Sequence, residues 1–287
     1  MRQKGWLMLR ILLNRFHEGA VEGIVKGVSP DDVKMILNQN VESKEINPIL
    51  ASPSDILMRI HYSWLQPELE KLPKNVVGIA ISLLPQPIKT KLREAFKIKE
   101  ESFNFSTPAH TFLLNRLFKH IYKDNPLPLD YLPSSPMTPL ARLQKEDLIE
   151  VIDYLGLYDL AEEIRQIVHK KQIENIYSCL SNKKHLYLRQ CLHQKEKLVT
   201  QGLQLERWNG DCQKLIKLLH HRGIVRLGYA LSGQHPDLVW HITHLLDSGR
   251  GEKLHGYIQK EEIPGVTQAL KLQVKNVIDY QTKAGKG

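Results

Sequence analysis

Histidine and cysteine, the residue types that most often bind transition metals, occur 13 and three times in this sequence. His241 and His244 have the i, i+3 spacing that would place both rings on one helix face, but no acidic or third ligand stands at a matching position nearby. His220 and His221 are adjacent, which is not the spacing of paired zinc ligands. We therefore expect no metal ion and no other cofactor.

Motifs for covalent or phosphate chemistry are also missing. No Gly-x-Ser-x-Gly turn surrounds a serine, and no cysteine has the flanking sequence of a known thiol enzyme. Residues 249–253 contain two glycines and a lysine, yet no predicted strand precedes them and no Gly-Lys-Ser/Thr follows, as a phosphate-binding loop requires. We predict that the chain is not an enzyme.

Basic residues form three clusters, at residues 89–99, 169–171 and 183–185, in a chain with 40 Lys and Arg residues against 31 Asp and Glu residues. Positive charge of this kind suits nucleic acid, an anionic membrane or an acidic protein. Acidic residues interrupt the first cluster, and aromatic residues make up only 7% of the chain. A solvated face or an acidic protein partner is therefore favoured, and a nucleic-acid-binding helical-repeat protein is the alternative.

The most distinctive short string is Ile-His-Tyr-Ser-Trp-Leu at residues 60–65. Trp64 lies four positions after Ile60, which is the spacing of a core anchor on one helix face. His61 and Tyr62 form an exposed pair in this interpretation, and aromatic residues on a surface are typical of protein contacts. We take His61, Tyr62 and Trp64 as candidate protein-binding residues.

The elements that must position these residues show mainly helical periodicity. Ser29 followed by Pro30 and two aspartates predicts a helix start, because a hydroxyl cap, a proline in the first turn and negative charge all favour the amino end of a helix. Short amphipathic stretches separated by prolines recur along the chain, and alternating strand patterns are nearly absent. The sequence therefore predicts an all-α fold of short stacked helices.

The C-terminal half contains an internal repeat. The apolar pattern of residues 148–164 recurs at 215–231, an offset of 67, and that of residues 173–192 recurs at 239–258 after a one-residue shift. Gly156 and Gly223 are equivalent, and each is predicted to end a helix with positive φ. Each copy would comprise a helix, a glycine turn, a short helix and two more helices, stacked as in armadillo-like arrays.

Arg222 and Arg226 flank Gly223 and are two further candidates. They occupy the repeat positions that Leu155 and Asp159 fill in the first copy. Positive charge where the first copy has none fits a surface devoted to a partner, and sequence drift on a solvated face is the alternative. We take both arginines as candidate protein-binding residues.

Five prolines crowd into residues 126–139 and predict a linker or an extended strap. The predicted organisation is an N-terminal helical lobe at 1–125, the strap at 126–140, a helical repeat lobe at 141–262, and a C-terminal helix with a flexible tail at 263–287. Residues 6–16 are predicted to form the first helix of a bundle, with an amphipathic membrane anchor as the alternative.

The number and spacing of the cysteines indicate the cellular compartment in which the protein works. Three cysteines form no even disulfide set and no Cys-x-x-Cys pair, which is typical of a reducing cytoplasm. The basic N terminus lacks a signal-peptide cleavage site, and no apolar stretch reaches the length of a membrane span. We predict a cytoplasmic protein.

The string at residues 60–65 resembles the His-x-Ser-Trp-Leu stretch of the SctK (YscK-like) family, the cytosolic adaptors of the type III secretion injectisome. Residues 135–224 resemble the divergent version found in intracellular bacteria. The Gly-Leu-x-x-Leu-Ala units are similar to those of the flagellar switch protein FliG, and residues 234–237 resemble its Glu-His-Pro-Gln motif with both outer residues changed. The chain departs from FliG in having no recognisable charged torque helix.

The resemblance covers most of residues 50–260 and implies a non-enzymatic adaptor of the cytoplasmic sorting platform. Such an adaptor joins the inner-membrane ring to the pods that carry the export ATPase complex, at the cytoplasmic face of the inner membrane. The implied partners are ring and pod proteins, with membrane association through a ring protein and with no small-molecule substrate. The family contributes no catalytic residues.

Overall fold

The computed structural model describes residues 6, 9–10, 13, 23, 27–38, 53–98, 103–122, 126–127, 129, 132–193, 203, 205 and 208–284. Its regular structure is helical, and no strand occurs among these residues, which confirms the predicted all-α fold. Contacts between Cα atoms divide the chain into unit 1, residues 1–134, and unit 2, residues 135–287. The division falls within the strap predicted at 126–140. Over the same described ranges, no helix is both long and apolar enough to cross a membrane.

Unit 1 is built from short helices. They are α1 (Pro30–Leu37), α2 (Pro53–Leu57), a 3-10 helix (Tyr62–Trp64), α3 (Gln66–Glu70), α4 (Lys74–Leu83), α5 (Ile88–Phe96) and α6 (Thr107–Ile121). The core of this unit is aliphatic, with Leu57, Leu65, Leu69, Ile81 and Leu92 fully buried.

The predicted helix start at Ser29 is confirmed. Ser29 Oγ accepts a hydrogen bond from the backbone N–H of Asp32 at 3.3 Å, and Pro30 occupies the first turn of α1, where its missing N–H would have had no partner within the helix. Leu13 and Ile36 are buried together, with Trp6 and Leu9 packed against them. This packing favours the first helix of a bundle over a membrane anchor for the described residues of segment 6–16.

Unit 2 begins with a 3-10 helix (Thr138–Arg142) and continues with longer helices. They are α7 (Lys145–Ile164), α8 (Lys170–Ser178), α9 (Asn182–Leu192), α10 (Cys212–Ala230), α11 (Pro236–Leu245), α12 (Ser248–Gly256) and α13 (Thr267–Ala284). The order α7–α8–α9 recurs as α10–α11–α12, one long helix followed by two short ones in each copy. Ser181 and Asp247, 66 positions apart, cap α9 and α12 through equivalent side-chain hydrogen bonds.

The glycines of the repeat do not end helices, and the prediction of a glycine turn at Gly156 and Gly223 is wrong. Both lie inside long helices, where α7 crosses α10. A Cβ on Gly223 would lie 1.8 Å from the carbonyl oxygen of Ile152, and one on Gly156 would lie 2.1 Å from that of Leu219. Ile152 and Leu219 are themselves 67 positions apart, so the two copies cross through equivalent contacts, as in a twofold interface. Glycine is required there because the backbones touch.

The C-terminal helix α13 packs against both crossing helices. Its residues Leu270, Val274 and Val277 are fully buried at i, i+4, i+7 spacing, which is one helix face. The helix predicted as a separate C-terminal element is therefore part of the core of unit 2. The armadillo-like or FliG-like type of the repeat stays a prediction.

Candidate functional site

An open apolar groove lies between α4 and α6 of unit 1, with a volume near 970 Å³. Its apolar lining consists of Leu72, Val76, Ile79, Ala80, Leu83, Phe112, Leu113 and Leu117. Phe112 is 65% exposed although aromatic side chains are usually largely buried. Contiguous apolar surface of this kind is typical of a binding site, whereas single exposed apolar residues are common on any protein.

The groove arises because α6 has apolar side chains on more than one face. Leu114 and Phe118, four positions apart, are buried in the core of unit 1. Leu113 and Leu117 each precede them by one position, so they point about 100° away around the helix and line the groove. The described residues of unit 1 cover the first face and leave the second face open.

The charged side chains that line the groove are basic at every described position. Arg116, Lys119 and His120 are exposed along α6, and no described Asp or Glu lines the groove with them. Within the described part of the chain, no carboxylate forms an ion pair with any of the three. The groove therefore combines an apolar floor with one positively charged wall.

The candidates His61, Tyr62 and Trp64 lie elsewhere in unit 1 and do not line this groove. All three are half-buried in and before the 3-10 helix, which contacts α3 and α5. His61 Nδ1 accepts a hydrogen bond from the Ser63 backbone N–H at 3.3 Å and so caps that helix, while its ring lies 4.4 Å from that of Tyr62. The protein-binding role of these residues stays a prediction.

The other two candidates are not on the surface. Arg222 is 6% exposed and Arg226 is 1% exposed, so the prediction that they belong to an exposed charged surface is wrong. The physical reason is Asp159, which lies buried opposite them on α7. The difference between the two repeat copies is therefore a complementary charge pair within the core.

The buried cluster is extensively hydrogen-bonded. Arg222 Nε donates to Asp159 Oδ2 at 2.7 Å, and Arg226 donates to Asp159 Oδ1 through Nε at 3.1 Å. Arg226 Nη1 also donates to Gln273 Oε1 at 2.8 Å, and its guanidinium lies 5.6 Å from the centre of the Tyr158 ring. These bonds join α7, α10 and α13, so the arginines hold unit 2 together.

A second polar chain crosses the repeat at its edge. Lys184 Nζ donates to Asp153 Oδ2 at 2.8 Å, and His220 Nδ1 lies 2.7 Å from Asp153 Oδ1. Arg250 Nε donates to His220 Nε2 at 3.0 Å, which assigns the histidine proton to Nδ1. Burial favours a higher pKa for Asp153, but the hydrogen bonds from His220 and Lys184 outweigh it and hold that pKa below its ordinary value. Through Nδ1 His220 thus joins the two copies, and through Nε2 it joins α10 to α12 within the second copy.

His241 and His244 show no arrangement for metal binding. The described residues contain no group of three His, Cys, Asp or Glu side chains placed to hold a metal ion. His244 stacks on Trp240 with ring centres 4.0 Å apart, and burial lowers the pKa of His244 to about 4. The pair at i, i+3 spacing belongs to the packing around Trp240.

The cysteines behave differently from the prediction that they form no disulfide. Cys179 at the end of α8 and Cys212 at the start of α10 are disulfide-bonded, with Cα atoms 5.1 Å apart. The sequence could not indicate the pairing because 33 positions separate the two residues and only the fold brings them together. Cys191 is a free, buried thiol, and burial raises its pKa to about 12.

Two of the predicted basic clusters contain lysines with structural partners. Lys89 Nζ donates to the Ser82 carbonyl oxygen at 3.0 Å, and Lys184 forms the pair with Asp153 described above. Lys170 lies 3.7 Å from Glu174 on an exposed face. These clusters are therefore mixed faces, whereas the described charged residues on the wall of the groove are all basic.

No protein-family model, curated protein or solved structure matches the chain. The likeness to SctK and to FliG accordingly stays a prediction. It depends on the strings at residues 60–65 and 234–237 and on short stretches within residues 135–224.

Proposed function

We propose that the chain is a non-enzymatic adaptor that binds one helix of a partner protein in the groove between α4 and α6. The observation that carries this proposal is an apolar groove whose lining includes an exposed phenylalanine. A groove between two helices is a common docking site for an amphipathic helix, whose apolar residues enter it at i, i+3, i+4 and i+7. Partner binding would cover the face of α6 that the described residues of unit 1 leave open.

The more specific form of the proposal follows the resemblance. We propose that the partner belongs to the sorting platform of a type III secretion apparatus, and that the chain joins inner-membrane ring proteins to pod and ATPase components. The likeness to SctK includes residues 60–65 of unit 1, the unit that contains the groove, and residues 135–224 of unit 2. Unit 2 is held by a buried charge cluster and by the crossing of α7 and α10.

We expect Phe112 to contribute more to the free energy of partner binding than any other residue of the groove. Burying an exposed phenylalanine ring contributes about 1–2 kcal/mol, and residues of this type at the centre of an interface often cost more than about 2 kcal/mol when replaced. An aspartate at position 112 would also bury a charge against the apolar lining. We expect F112D to weaken binding by roughly 30-fold or more, since each 1.4 kcal/mol is a factor of ten.

The test is co-purification of the full chain from its native host in three forms. Wild type should recover ring and export-ATPase components, F112D should lose them, and M58D should keep them. Met58 is a matched control because it is 57% exposed in the same unit and does not line the groove. Equal recovery by wild type and F112D would contradict docking in the groove.

The nucleic-acid alternative draws on the excess of nine positive charges. It predicts tight binding to random duplex that falls steeply as salt rises, because binding releases counterions from the phosphates. Recovery of RNA or ribosomal proteins alone would favour this alternative over the adaptor.

A further inference from the structure

The dimensions of the groove limit the length of its occupant. Its walls run from Val76 to Leu83 on α4 and from Phe112 to His120 on α6. At a rise of about 1.5 Å per residue, each wall is about 11–12 Å long, or roughly two helical turns. A helix that fits this length can insert about three apolar side chains, spaced i, i+3 or i+4, and i+7.

The charge on the groove limits the chemistry of the helix that enters it. Lys119 and His120 lie in the last turn of α6, where positive charge is favourable beside the helix carboxyl end. Arg116 lies one turn earlier, so the helix end does not account for it. All three line the same wall and are exposed, and among the residues that the structure describes no acidic side chain lines the groove to balance them.

We infer that the occupant is an acidic amphipathic helix of a partner protein, with aspartate or glutamate flanking its apolar stripe; this inference rests on the proposed function. A carboxylate on the flank of such a helix comes within reach of Arg116 or Lys119 when the stripe enters the groove. Charge complementarity of this kind guides encounter and fixes orientation, while the apolar anchors supply most of the affinity. A basic helix would meet like charge along the α6 wall from Arg116 to His120.

The experiment is a selection on the full chain from a displayed library of helical peptides about 16 residues long, a length chosen because isolated helices shorter than about 12–15 residues are marginal in water. The library holds leucine at i, i+4 and i+7 and randomises the flanking positions among Asp, Glu, Lys, Arg, Ser and Gln. Peptides that also bind F112D are discarded. The flanking charge of the remaining binders is then counted, and their dissociation constants are measured against wild type and R116E/K119E.

We expect enrichment of Asp and Glu at the flanks, and roughly tenfold weaker binding of those peptides to R116E/K119E, the order expected for two exposed ion pairs. Higher salt should weaken their binding to wild type. K91E in α5 is the control, because Lys91 is exposed but does not line the groove. For peptides with basic flanks we expect the reverse: R116E/K119E should bind them more tightly than wild type does.

The selection distinguishes a failure of the acidic-helix inference from a failure of the proposed docking groove. Enrichment of Lys and Arg, or no charge preference among binders sensitive to F112D, would overturn the acidic helix and leave the adaptor intact. Absence of any binder sensitive to F112D would contradict the groove itself. If F112D instead converts an oligomer of the chain to a monomer in light scattering, the groove is covered by a second copy and the inference is wrong.

Discussion

Replacing Asp159 by asparagine should destabilise unit 2 strongly, because Asp159 is the carboxylate shared by two buried guanidinium groups. Its side chain is 5% exposed, and it accepts hydrogen bonds from Arg222 at 2.7 Å and from Arg226 at 3.1 Å. Asparagine keeps the shape but loses the charge, so both arginines stay positive in the core. Breaking a buried pair in this way costs about 3–5 kcal/mol. Glu162, at 3.7 Å from Arg226, offsets only part of that loss.

The assay is hydrogen exchange of the full chain across a urea series, read by mass spectrometry on peptides from α7 and α10. Region-specific exchange is needed because a chain with two units need not unfold in one step. D159N should lower the free energy of opening in α7 and α10 and leave α4 and α6 unchanged. The matched variant D159L/R222M/R226M removes the shared carboxylate together with both guanidinium groups and should be far less damaging than D159N. A change below about 1 kcal/mol for D159N would refute the reasoning, because mutations at true buried pairs exceed it.

Three other outcomes are expected. G223A should destabilise unit 2 by about 3 kcal/mol or more, since its Cβ would enter a backbone carbonyl, whereas G256A meets open space and should be neutral or stabilising; thermal unfolding compares them. Reducing the disulfide between Cys179 and Cys212 should lower stability by about 4 kcal/mol for a loop of this length, measured by urea unfolding with and without reductant, and C179S should abolish the difference. The pKa of His244 is about 4 when folded and near 6.5 when unfolded, so stability should fall as pH drops from 6.5 towards 4, by about 3 kcal/mol in total; acid titration of H244L should show a shallower fall.

The helix start at Ser29 and the repeat could be predicted because neither requires knowledge of how the helices pack. Ser29 with its proline and acids specifies a cap within one turn, and an offset of 67 between apolar patterns needs no knowledge of packing. The prediction that Gly156 and Gly223 end helices was wrong because it followed the general preference: glycine is unfavourable inside a helix and common just after its end. Only the crossing of α7 and α10 shows why both positions must lack a side chain.

The burial of the two arginines and the existence of the groove could not be predicted from neighbouring residues, because both depend on which helices pack together. Arg222 and Arg226 belong to the core because Asp159 faces them across a helix crossing, and the sequence does not show which elements cross. The offset of 67 between Asp159 and Arg226 was the available signal, since equivalent positions meet in a twofold contact. The groove depends on how α4 and α6 pack, although the two apolar faces of α6 in its sequence were a hint.

The most direct test of the account is photo-crosslinking in the native host, with a photoreactive phenylalanine analogue at position 112 and, in a second strain, at position 58. We expect position 112 to crosslink to a helix of a secretion-apparatus partner whose residues beside the apolar stripe are acidic, and position 58 to give no such product. Identical products from both positions, or none from position 112 in cells that assemble the apparatus, would contradict the account.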